Sequence, residues 1–379
     1  MTSEHRVPDQ DLLHMQQALA LAEEGLWRTS PNPRVGCVLL APDGRVIGQG
    51  STQAAGQAHA EVMALRDAAQ RGHSTEGATA YVTLEPCAHQ GRTGPCCDAL
   101  IQAGVARVVA ALGDPNPLVG GQGFARLRAA GVQVQVGLGA EASRELNLGF
   151  LSRLVRKRPW VRLKMAASLD GTTALHNGQS QWITGPEARR DGHAWRARAC
   201  AVLTGSGTVL ADNPTLNVRD LPTPRQPHLV VVDSALRTPL DAALWDQPRK
   251  LWMYGAHDAQ GRAAALAQRG AQVQLLPQAD SSPAARVDLA AVLDDLGRHD
   301  INELHVEAGA TLSGALLEAG LVDELLLYMA PQLLGPGTGM ARLQERLSLS
   351  QAIRLDFQDV RMVGADVRLL ARVQGHADF

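Results

Sequence analysis

Short apolar runs alternate with amphipathic stretches along the first 158 residues of the chain. Where apolar residues recur every three or four positions, the pattern predicts helices, over 10–25, 60–71, 98–103, 123–130 and 140–158. Where apolar and β-branched residues cluster between turn residues, it predicts strands, over 35–40, 46–48, 79–84, 105–112 and 132–136. This alternation is typical of an α/β sandwich with a largely buried sheet.

The alternation starts again after Pro159, which ends the last of these helices. The pattern predicts further strands over 161–167, 200–205, 228–233, 251–254, 271–276, 303–306, 324–329 and 365–373. It predicts further helices over 185–198, 259–269, 287–298 and 311–319. We therefore expect two α/β domains, one over residues 1–150 and the other over residues 158–379.

The composition of the 379-residue chain is that of an ordinary globular protein, with 45% hydrophobic residues and a formal net charge of −2. Because there is no basic stripe, we expect no nucleic-acid partner, and no apolar run is long enough to predict a membrane span. The first six residues lack the apolar segment of a secretory signal. Sparse cysteines, three of them between Cys87 and Cys97, indicate metal binding in a reducing compartment. We expect a cytoplasmic protein that acts on a small molecule.

Metal-ligand residue types stand at one predicted helix start and one predicted strand end. His59 opens the helix over 60–71, Glu61 follows two residues later, and Cys87 follows the strand over 79–84. Imidazole nitrogen and thiolate sulfur are ligands that Zn²⁺ prefers, and three protein ligands leave a position open for water. A glutamate close to that water is well placed to handle its protons. The order His-x-Glu … Pro-Cys is typical of zinc-dependent base deaminases.

The third ligand stays open on the pattern alone. The generic signature ends in Cys-x-x-Cys, whereas here the gap after Cys87 is longer and leaves three candidates, His89, Cys96 and Cys97. Pro95 favours Cys96, because a helix that begins there would lower the pKa of that thiol at its N-terminus. The alternative is that the cysteines are reduced core residues, since free cysteine is commonly buried.

Two turns of small residues follow predicted strands in the second half, Leu203–Thr208 and Val306–Gly314. Amides exposed at a helix start attract phosphate, and two such turns are consistent with a dinucleotide that lies across the strand ends. Neither turn matches Gly-x-Gly-x-x-Gly or a P-loop, so ordinary strand–helix turns are the alternative. Trp182 stands in a polar loop, where surface packing is the alternative to ligand contact.

The motifs resemble those of the bifunctional riboflavin-biosynthesis deaminase/reductase family. In the first half the resemblance is carried by His59–Glu61, Thr83–His89, Gly91–Cys97, Asp114–Pro117 and the turn at Ser30–Pro33. It implies a cytidine-deaminase-like three-layer α/β/α domain in which zinc binds to His59, Cys87 and Cys96. Glu61 would be the catalytic proton shuttle, and Asn32 and His89 would contact the pyrimidine substrate.

In the second half the resemblance is carried by Lys164–Gly171, Ser180–Thr184, Val209–Pro214 and Glu307–Gly309. It implies an NADPH-dependent reductase domain with a dihydrofolate-reductase-like α/β fold. NADPH would contact Ala166, Trp182, Thr208, Asp212, Ser234, Gly309, Ala310, Thr311, Leu312, Ser313, Gly314 and Ala315. The substrate would contact Lys164, Ser180, Arg196, Leu216, Arg219 and Glu307. The family often has proline where this chain has Ala310, and it tends to self-associate through the reductase half, so we expect a homo-oligomer.

We therefore predict a riboflavin-biosynthesis enzyme with two activities. The resemblance implies zinc-dependent deamination of 2,5-diamino-6-ribosylamino-4(3H)-pyrimidinone 5′-phosphate. NADPH-dependent reduction of 5-amino-6-(5-phosphoribosylamino)uracil to the ribityl compound would follow. One alternative is a nucleoside or RNA deaminase with an appended nucleotide-binding module, which the low aromatic content disfavours. Another is a non-catalytic binding protein with a structural zinc, for which four protein ligands are the norm.

Overall fold

The computed structural model describes residues 9–88, 94–116, 120–279 and 285–376. The chain folds into two compact units, the first ending at Arg156 and the second beginning at Lys157. Lys157 itself has a φ of 62°, in the left-handed region that an α-helix does not use. The predicted helix over 140–158 therefore ends two residues early, at Arg156.

The first unit alternates helices and short strands as the pattern predicts. Its helices are α1 (Asp9–Glu23), α2 (Ala60–Gln70), α3 (Cys96–Gln102), α4 (Gln122–Ala129) and α5 (Ala140–Arg156). Its strands are β1 (Gly36–Leu40), β2 (Val46–Ser51), β3 (Thr79–Val82), β4 (Arg107–Ala110) and β5 (Gln133–Val136). They form one sheet in the order β2–β1–β3–β4–β5, with β1 antiparallel to β2 and β3 and the other pairs parallel.

Both faces of this sheet are covered by apolar side chains. One face packs against α2, α3 and α4 through small and branched residues, including Ala64, Leu100 and Leu127. The other packs against α1 through Met15 and Ala18. Helix α2 lies so close to β2 that a Cβ atom on Gly48 would stand 2.3 Å from the carbonyl oxygen of Ala64. The first unit is therefore a three-layer α/β/α sandwich, as predicted.

The second unit repeats the alternation on a larger scale. Its helices are α6 (Pro186–Arg198), α7 (Ser206–Asp212), α8 (Ala263–Gln268), α9 (Leu289–Arg298) and α10 (Ala310–Glu318). Its strands are β6 (Trp160–Ser168), β7 (Thr172–Leu175), β8 (Ala201–Gly205), β9 (His228–Val232), β10 (Leu251–Gly255), β11 (Ala271–Leu275), β12 (Glu303–Val306), β13 (Glu324–Ala330), β14 (Gly337–Gly339), β15 (Leu355–Val363) and β16 (Asp366–Val373).

The main sheet of the second unit has the order β11–β10–β9–β8–β12–β6–β13–β16–β15. The strands from β11 to β13 are parallel, and β16 and β15 add an antiparallel edge. Helices α9 and α10 contribute Leu293 and Leu316 to one apolar layer, and α8 contributes Leu266 to another. Because parallel strands bring their carboxyl ends to one edge, the turns after β8, β9 and β12 lie side by side.

Several elements differ from the sequence-based prediction. The pattern missed β7, β14, β15 and α7, because their residues carry no clear apolar period. Helix α8 begins at Ala263 rather than at 259, because the side chain of Asp258 accepts hydrogen bonds from the amides of Arg262 and Ala263. Helix α3 begins at Cys96 rather than at 98. Among the described residues, no helix combines the length and apolar character that a membrane span requires.

Candidate active sites

Three metal-ligand side chains converge in the first unit. His59 precedes the first residue of α2, Cys87 follows β3, and Cys96 begins α3. The Nδ1 atom of His59 lies 3.6 Å from the Sγ atom of Cys87 and 3.3 Å from the Sγ atom of Cys96. The three candidate ligand atoms lie within 4.8 Å of one another. This donor set, one imidazole and two sulfurs around a common point, fits Zn²⁺.

The two cysteines of the cluster share one proton. The hydrogen bond from Cys96, strengthened by His59, lowers the pKa of the Cys87 thiol to about 4. The same shared hydrogen bond and burial raise the pKa of Cys96. Zinc held by these residues would take the place of the shared proton, because metal ligands are thiolates and neutral imidazole.

The structure places Cys96, rather than its neighbour Cys97, in this cluster. Cys97 is buried and packs into the apolar layer between the sheet and the helices. Burial raises the pKa of the Cys97 thiol to about 11, so it stays protonated. His89, the other candidate ligand and a predicted substrate contact, lies outside the described residues.

Glu61 lies in the first turn of α2, two residues after His59, and is 3% exposed. Burial raises the pKa of its carboxyl group to about 7, and the nearby charge of Cys87 adds to that effect. A carboxyl group that titrates near neutrality both accepts and donates protons at physiological pH. Perturbed groups of this kind concentrate at catalytic sites.

Glu85 fixes the segment that carries Cys87, and the sequence analysis did not single it out. Its carboxylate is buried and accepts hydrogen bonds from backbone amides at 2.9–3.3 Å, those of Asp114, Gly121, Gly123 and Phe124. A Cβ atom on Gly123 would stand 2.0 Å from the carbonyl oxygen of Pro86. The start of α4 is therefore packed directly against the residue before Cys87.

The turn that holds Asn32 is fastened to α5. The side chain of Asn147, on α5, accepts a hydrogen bond from the backbone amide of Arg34 at 2.8 Å. It donates another to the backbone carbonyl oxygen of Arg34 at 3.0 Å. The buried guanidinium of Arg34 donates to the carbonyl oxygen of Leu146 at 2.6 Å. Asn32 itself is half-buried on this fastened turn.

In the second unit, Lys164, Arg196 and Glu307 form a charged cluster. Lys164 lies on β6, Arg196 on α6, and Glu307 directly after β12. Arg196 holds the Glu307 carboxylate through two guanidinium nitrogens, with Nη2 at 2.8 Å from Oε2. The Nζ atom of Lys164 lies 3.8 Å from Oε2 of Glu307. Burial favours the neutral carboxyl group, but the charges of Arg196 and Lys164 outweigh it and hold the pKa of Glu307 well below its ordinary range.

The loop that holds Leu216 and Arg219 is fastened by two arginines. Arg249 donates to the carbonyl oxygens of Thr215 and Leu216, and Arg196 donates to that of Asn217 at 2.9 Å. Leu216 has a φ of 50°, and its side chain is buried in an apolar layer of the second unit. The Arg219 side chain is exposed, with Nη1 at 3.3 Å from the side chain of Thr215. The sequence analysis missed Arg249, which carries no motif.

A groove of about 700 Å³ runs along the turns after β8, β9 and β12. Gly205, at the end of β8, faces α10, where a Cβ atom would lie 3.1 Å from the side chain of Leu312. Helix α10 has no side-chain cap, so amides at its start are free to meet phosphate. Of the predicted cofactor contacts, the groove is lined by Thr208, Ser234, Gly309, Ala310, Thr311, Leu312 and Ala315.

The other predicted contacts of the second unit lie outside this groove lining. Ser313 is fully buried and donates to the carbonyl oxygen of Ala308 at 3.2 Å, and Gly314 packs against the backbone of Arg342. Trp182 is 65% exposed with Arg189 stacked on its ring at 4.5 Å. The remaining ones are Ala166 on β6, the half-buried Ser180 and the exposed Asp212 at the end of α7.

Comparisons with known proteins match both units. The model of the RibD C-terminal domain matches residues 159–369, and that of the cytidine and deoxycytidylate deaminase zinc-binding region matches residues 8–112. The chain is 46% identical over 373 residues to the riboflavin biosynthesis protein RibD of Escherichia coli K12, which covers 95% of this chain and 98% of that protein. The chain belongs to the RibD family of riboflavin biosynthesis proteins.

Solved structures agree with this assignment. Acinetobacter baumannii RibD superposes with a TM-score of 0.86 at 42% identity, covering 96% of this chain and 99% of that one. A deaminase/reductase from Thermotoga maritima superposes with a TM-score of 0.83 at 30% identity and the same coverage. That protein is described as a diaminohydroxyphosphoribosylaminopyrimidine deaminase and 5-amino-6-(5-phosphoribosylamino)uracil reductase.

The family membership confirms the principal predictions. The chain is a bifunctional deaminase and reductase of riboflavin biosynthesis that acts on a small molecule. Its first unit has the cytidine-deaminase-like fold with zinc, and its second has the dihydrofolate-reductase-like fold of an NADPH-dependent reductase. This decides in favour of the bifunctional enzyme over a nucleoside or RNA deaminase with an appended nucleotide-binding module and over a non-catalytic protein with a structural zinc.

Proposed function

We propose that residues 1–150 catalyse hydrolytic deamination of 2,5-diamino-6-ribosylamino-4(3H)-pyrimidinone 5′-phosphate and that residues 158–379 catalyse the following reduction. The observation that carries the first assignment is the three-residue cluster of His59, Cys87 and Cys96 beside the buried Glu61. The second rests on the charged cluster around Glu307, two residues before Gly309 in the groove lining.

In the deaminase site, His59, Cys87 and Cys96 would hold zinc. Bound zinc lowers the pKa of a water molecule to near neutrality. Glu61 accepts a proton from the attacking water as the water oxygen bonds to the ring carbon, and it delivers this proton to the ring nitrogen. It then takes the proton of the added hydroxyl group and passes it to the amino group, which leaves as ammonia while the carbon–oxygen double bond forms. Its pKa of about 7 suits it for both transfers. Asn32 and His89 orient the pyrimidine, and the hydrogen bonds from α5 keep the turn of Asn32 in place.

In the reductase site, the groove between β8, β9 and β12 would hold NADPH, which supplies the hydride for C1′ of the ribosyl group. Lys164 and Glu307 contact the substrate, and Ser180 and the backbone of Leu216 complete its site. Arg196 is already hydrogen-bonded to the Glu307 carboxylate, so its role is to keep that carboxylate oriented. The exposed Arg219 is then the guanidinium available for the 5-phosphate, for which its paired donors are suited. Ala166, Trp182 and Asp212 would meet the cofactor beyond the groove lining.

The experiment that tests this assignment offers the zinc-replete protein the diaminopyrimidine phosphate together with NADPH. We expect stoichiometric release of ammonia followed by oxidation of NADPH. Absence of both would contradict the proposal. Release of ammonia without cofactor oxidation would contradict the assignment of the second unit alone.

We also propose that the protein forms a homo-oligomer through the second unit. Strand β15 has three exposed apolar side chains, those of Phe357, Val360 and Met362. They pair with every second residue of β16, namely Ala371, Leu369 and Val367, so all three lie on one face of the sheet despite the bulge after Phe357. An exposed apolar edge strand is a surface that a second copy covers. Sedimentation of wild type and of Phe357→Glu tests this, with dissociation expected in the variant.

We place the enzyme in the cytoplasm. Its cysteines are all free thiols, and four of them are buried. Free thiols, two of them in a metal cluster, are what a reducing compartment maintains. Fractionation of the native host tests this, and recovery of the protein outside the cytoplasmic fraction would contradict it.

A further inference from the structure

Two arginines line the groove at the side away from the charged cluster. Arg237 lies in the turn after β9, and Arg286 lies in the segment that precedes α9. Both side chains are exposed, and neither guanidinium has a hydrogen bond or ion pair with another residue in the part of the chain that the structure describes. This differs from Arg196 and Arg249, which are both bound to neighbouring groups.

The order of the strands shows which end of a cofactor meets these arginines. Lys164 lies on β6 and Glu307 follows β12, so the nicotinamide has to reach that side for hydride transfer. The strands then follow in the order β6, β12, β8 and β9. Three strand spacings separate β6 from β9, which is about 14 Å. With the nicotinamide at that side, the far end of an extended dinucleotide, the adenosine, would reach the turn after β9.

The turn that presents Arg237 is held in one conformation. The buried Asp233 accepts hydrogen bonds from the amide and the hydroxyl of Thr238, both at 2.7 Å. The amide of Leu236 donates to the carbonyl oxygen of Asp233 at 3.0 Å. A guanidinium on a fixed turn loses little freedom when it binds an anion.

The acidic side chain in the groove lining, Asp288, forms no ion pair with Arg237 or Arg286 among the described residues. Asp288 caps α9, accepting a hydrogen bond from the amide of Ala291 at 3.0 Å. The turn after β9 and the segment before α9 thus offer two guanidinium groups, and the one carboxylate in this groove lining already caps a helix. Guanidinium groups bind phosphate through paired, charge-assisted hydrogen bonds.

We propose that Arg237, with Arg286 as a second contact, binds the 2′-phosphate of NADPH and makes the reductase prefer NADPH over NADH. The inference rests on the proposed placement of NADPH in this groove and assigns the side chains that would bind its 2′-phosphate. An arginine near the adenosine ribose serves this purpose in other dinucleotide-binding folds. The 2′-phosphate is the chemical difference between the two cofactors, so removing its partner affects one cofactor alone.

The test measures binding of NADPH and of NADH to the zinc-loaded full-length protein by calorimetry, without pyrimidine substrate. The variants are Arg237→Met, Arg286→Met and the double variant, since methionine keeps part of the apolar stem and removes the charge. Arg354→Met is the matched control, because this exposed arginine stands before β15 at the opposite edge of the sheet. Bound NADPH is also displaced with adenosine 2′,5′-bisphosphate and with ADP. Only the first competitor carries a 2′-phosphate, so the comparison isolates the contribution of that phosphate to binding.

We expect Arg237→Met to weaken NADPH roughly 10- to 100-fold, the loss typical of a charge-assisted contact, while NADH binding stays unchanged. Arg286→Met should produce a smaller loss of the same kind, and the double variant should bind the two cofactors alike. Unchanged NADPH affinity in Arg237→Met, or equal weakening of NADH, would overturn the assignment. A wild-type protein that binds neither cofactor would instead contradict the proposed function.

Discussion

The guanidinium of Arg196 and the carboxylate of Glu307 are joined through two pairs of atoms, with Nη2 at 2.8 Å from Oε2. Arg196 comes from α6 and Glu307 from the end of β12, so the pair joins a helix to the sheet at the reductase site. Both side chains are largely buried, and Lys164 lies close to the same carboxylate. The pair keeps the carboxylate charged and pointed at a defined position.

Replacing Glu307 with glutamine should impair the reductase and spare the deaminase. The substitution leaves Arg196 and Lys164 without their counter-charge, and loss of one partner of a buried charge pair costs about 2–5 kcal/mol. We expect roughly a 100-fold fall in the rate of NADPH oxidation with the deaminated intermediate. Ammonia release from the first substrate is the internal control and should match wild type. Equal loss of both activities would indicate general misfolding instead of a local role.

Replacing Glu61 with glutamine should abolish proton transfer while leaving the metal in place. Glutamine has nearly the same shape but cannot accept a proton, and general acid–base catalysis typically contributes about 10²- to 10⁴-fold. We expect ammonia release to fall by that factor, with zinc content and reduction of the deaminated intermediate unchanged. Glu24→Gln, an exposed carboxylate of the same unit, is the control. Near-normal ammonia release in Glu61→Gln would refute the role of proton shuttle.

Glu85 should matter for zinc affinity although it is not a ligand. In Glu85→Gln the amide NH₂ group would replace one carboxylate oxygen and face two backbone amides that now donate to it. These are the amides of Asp114 and Gly121 at one oxygen, or those of Gly123 and Phe124 at the other. The segment that carries Cys87 would then shift, and loss of such an outer contact typically weakens metal binding about 10- to 100-fold. Competition with a chromophoric chelator measures this.

An independent perturbation of the same contact is Gly123→Ala. Its added methyl group would collide with the carbonyl oxygen of Pro86. It should weaken zinc binding in the same direction. Alanine at the helical Gly192 of α6 in the second unit, where nothing lies within 4 Å of the added methyl group, should leave zinc binding unchanged. If zinc affinity were unaltered in both Glu85→Gln and Gly123→Ala, the positioning role would be wrong.

The stability of the first unit should depend on pH through Asp11. Its carboxylate is bound to Arg107, with Nη2 at 2.6 Å, and to the hydroxyl of Tyr81 at 2.5 Å. The hydrogen bond with Arg107 lowers the pKa of Asp11 in the folded state. A lowered folded-state pKa means that the contribution is complete above the unfolded-state value of about 3.9 and is lost as the pH falls through the folded-state value.

We therefore expect Asp11→Asn to lower the free energy of unfolding of the first unit by about 1–3 kcal/mol at neutral pH. The difference from wild type should shrink as the solution is acidified below the ordinary aspartate pKa. Hydrogen exchange of the amides in β3 and β4 reports on this unit separately. It is measured under mild denaturant at neutral pH and again at a pH below the ordinary aspartate pKa. A difference that grows on acidification would show that the sign of the linkage is wrong.

The pattern of apolar residues was enough to predict most helices and strands, because burial on both faces of a sheet leaves a strong signal. It failed for β15, whose residues are mostly exposed and whose bulge after Phe357 breaks the two-residue period. It also missed α7, because a seven-residue helix that follows β8 without a loop shows no separate period. The start of α8 depended on hydrogen bonds from the amides of Arg262 and Ala263 to Asp258 rather than on apolar spacing.

What the sequence by itself determined is the chemistry: a histidine, a glutamate and cysteines in the order of a zinc deaminase, and motifs that resemble those of a reductase. These motifs can be recognised in the sequence because the types of ligand residue and their spacing along one segment do not depend on knowledge of the fold. The tertiary structure decided between Cys96 and Cys97, since successive helical residues point in different directions and only one meets His59. It also decided the partners of Glu85 and Glu307, because contacts between residues far apart in sequence depend on how strands are ordered in the sheet.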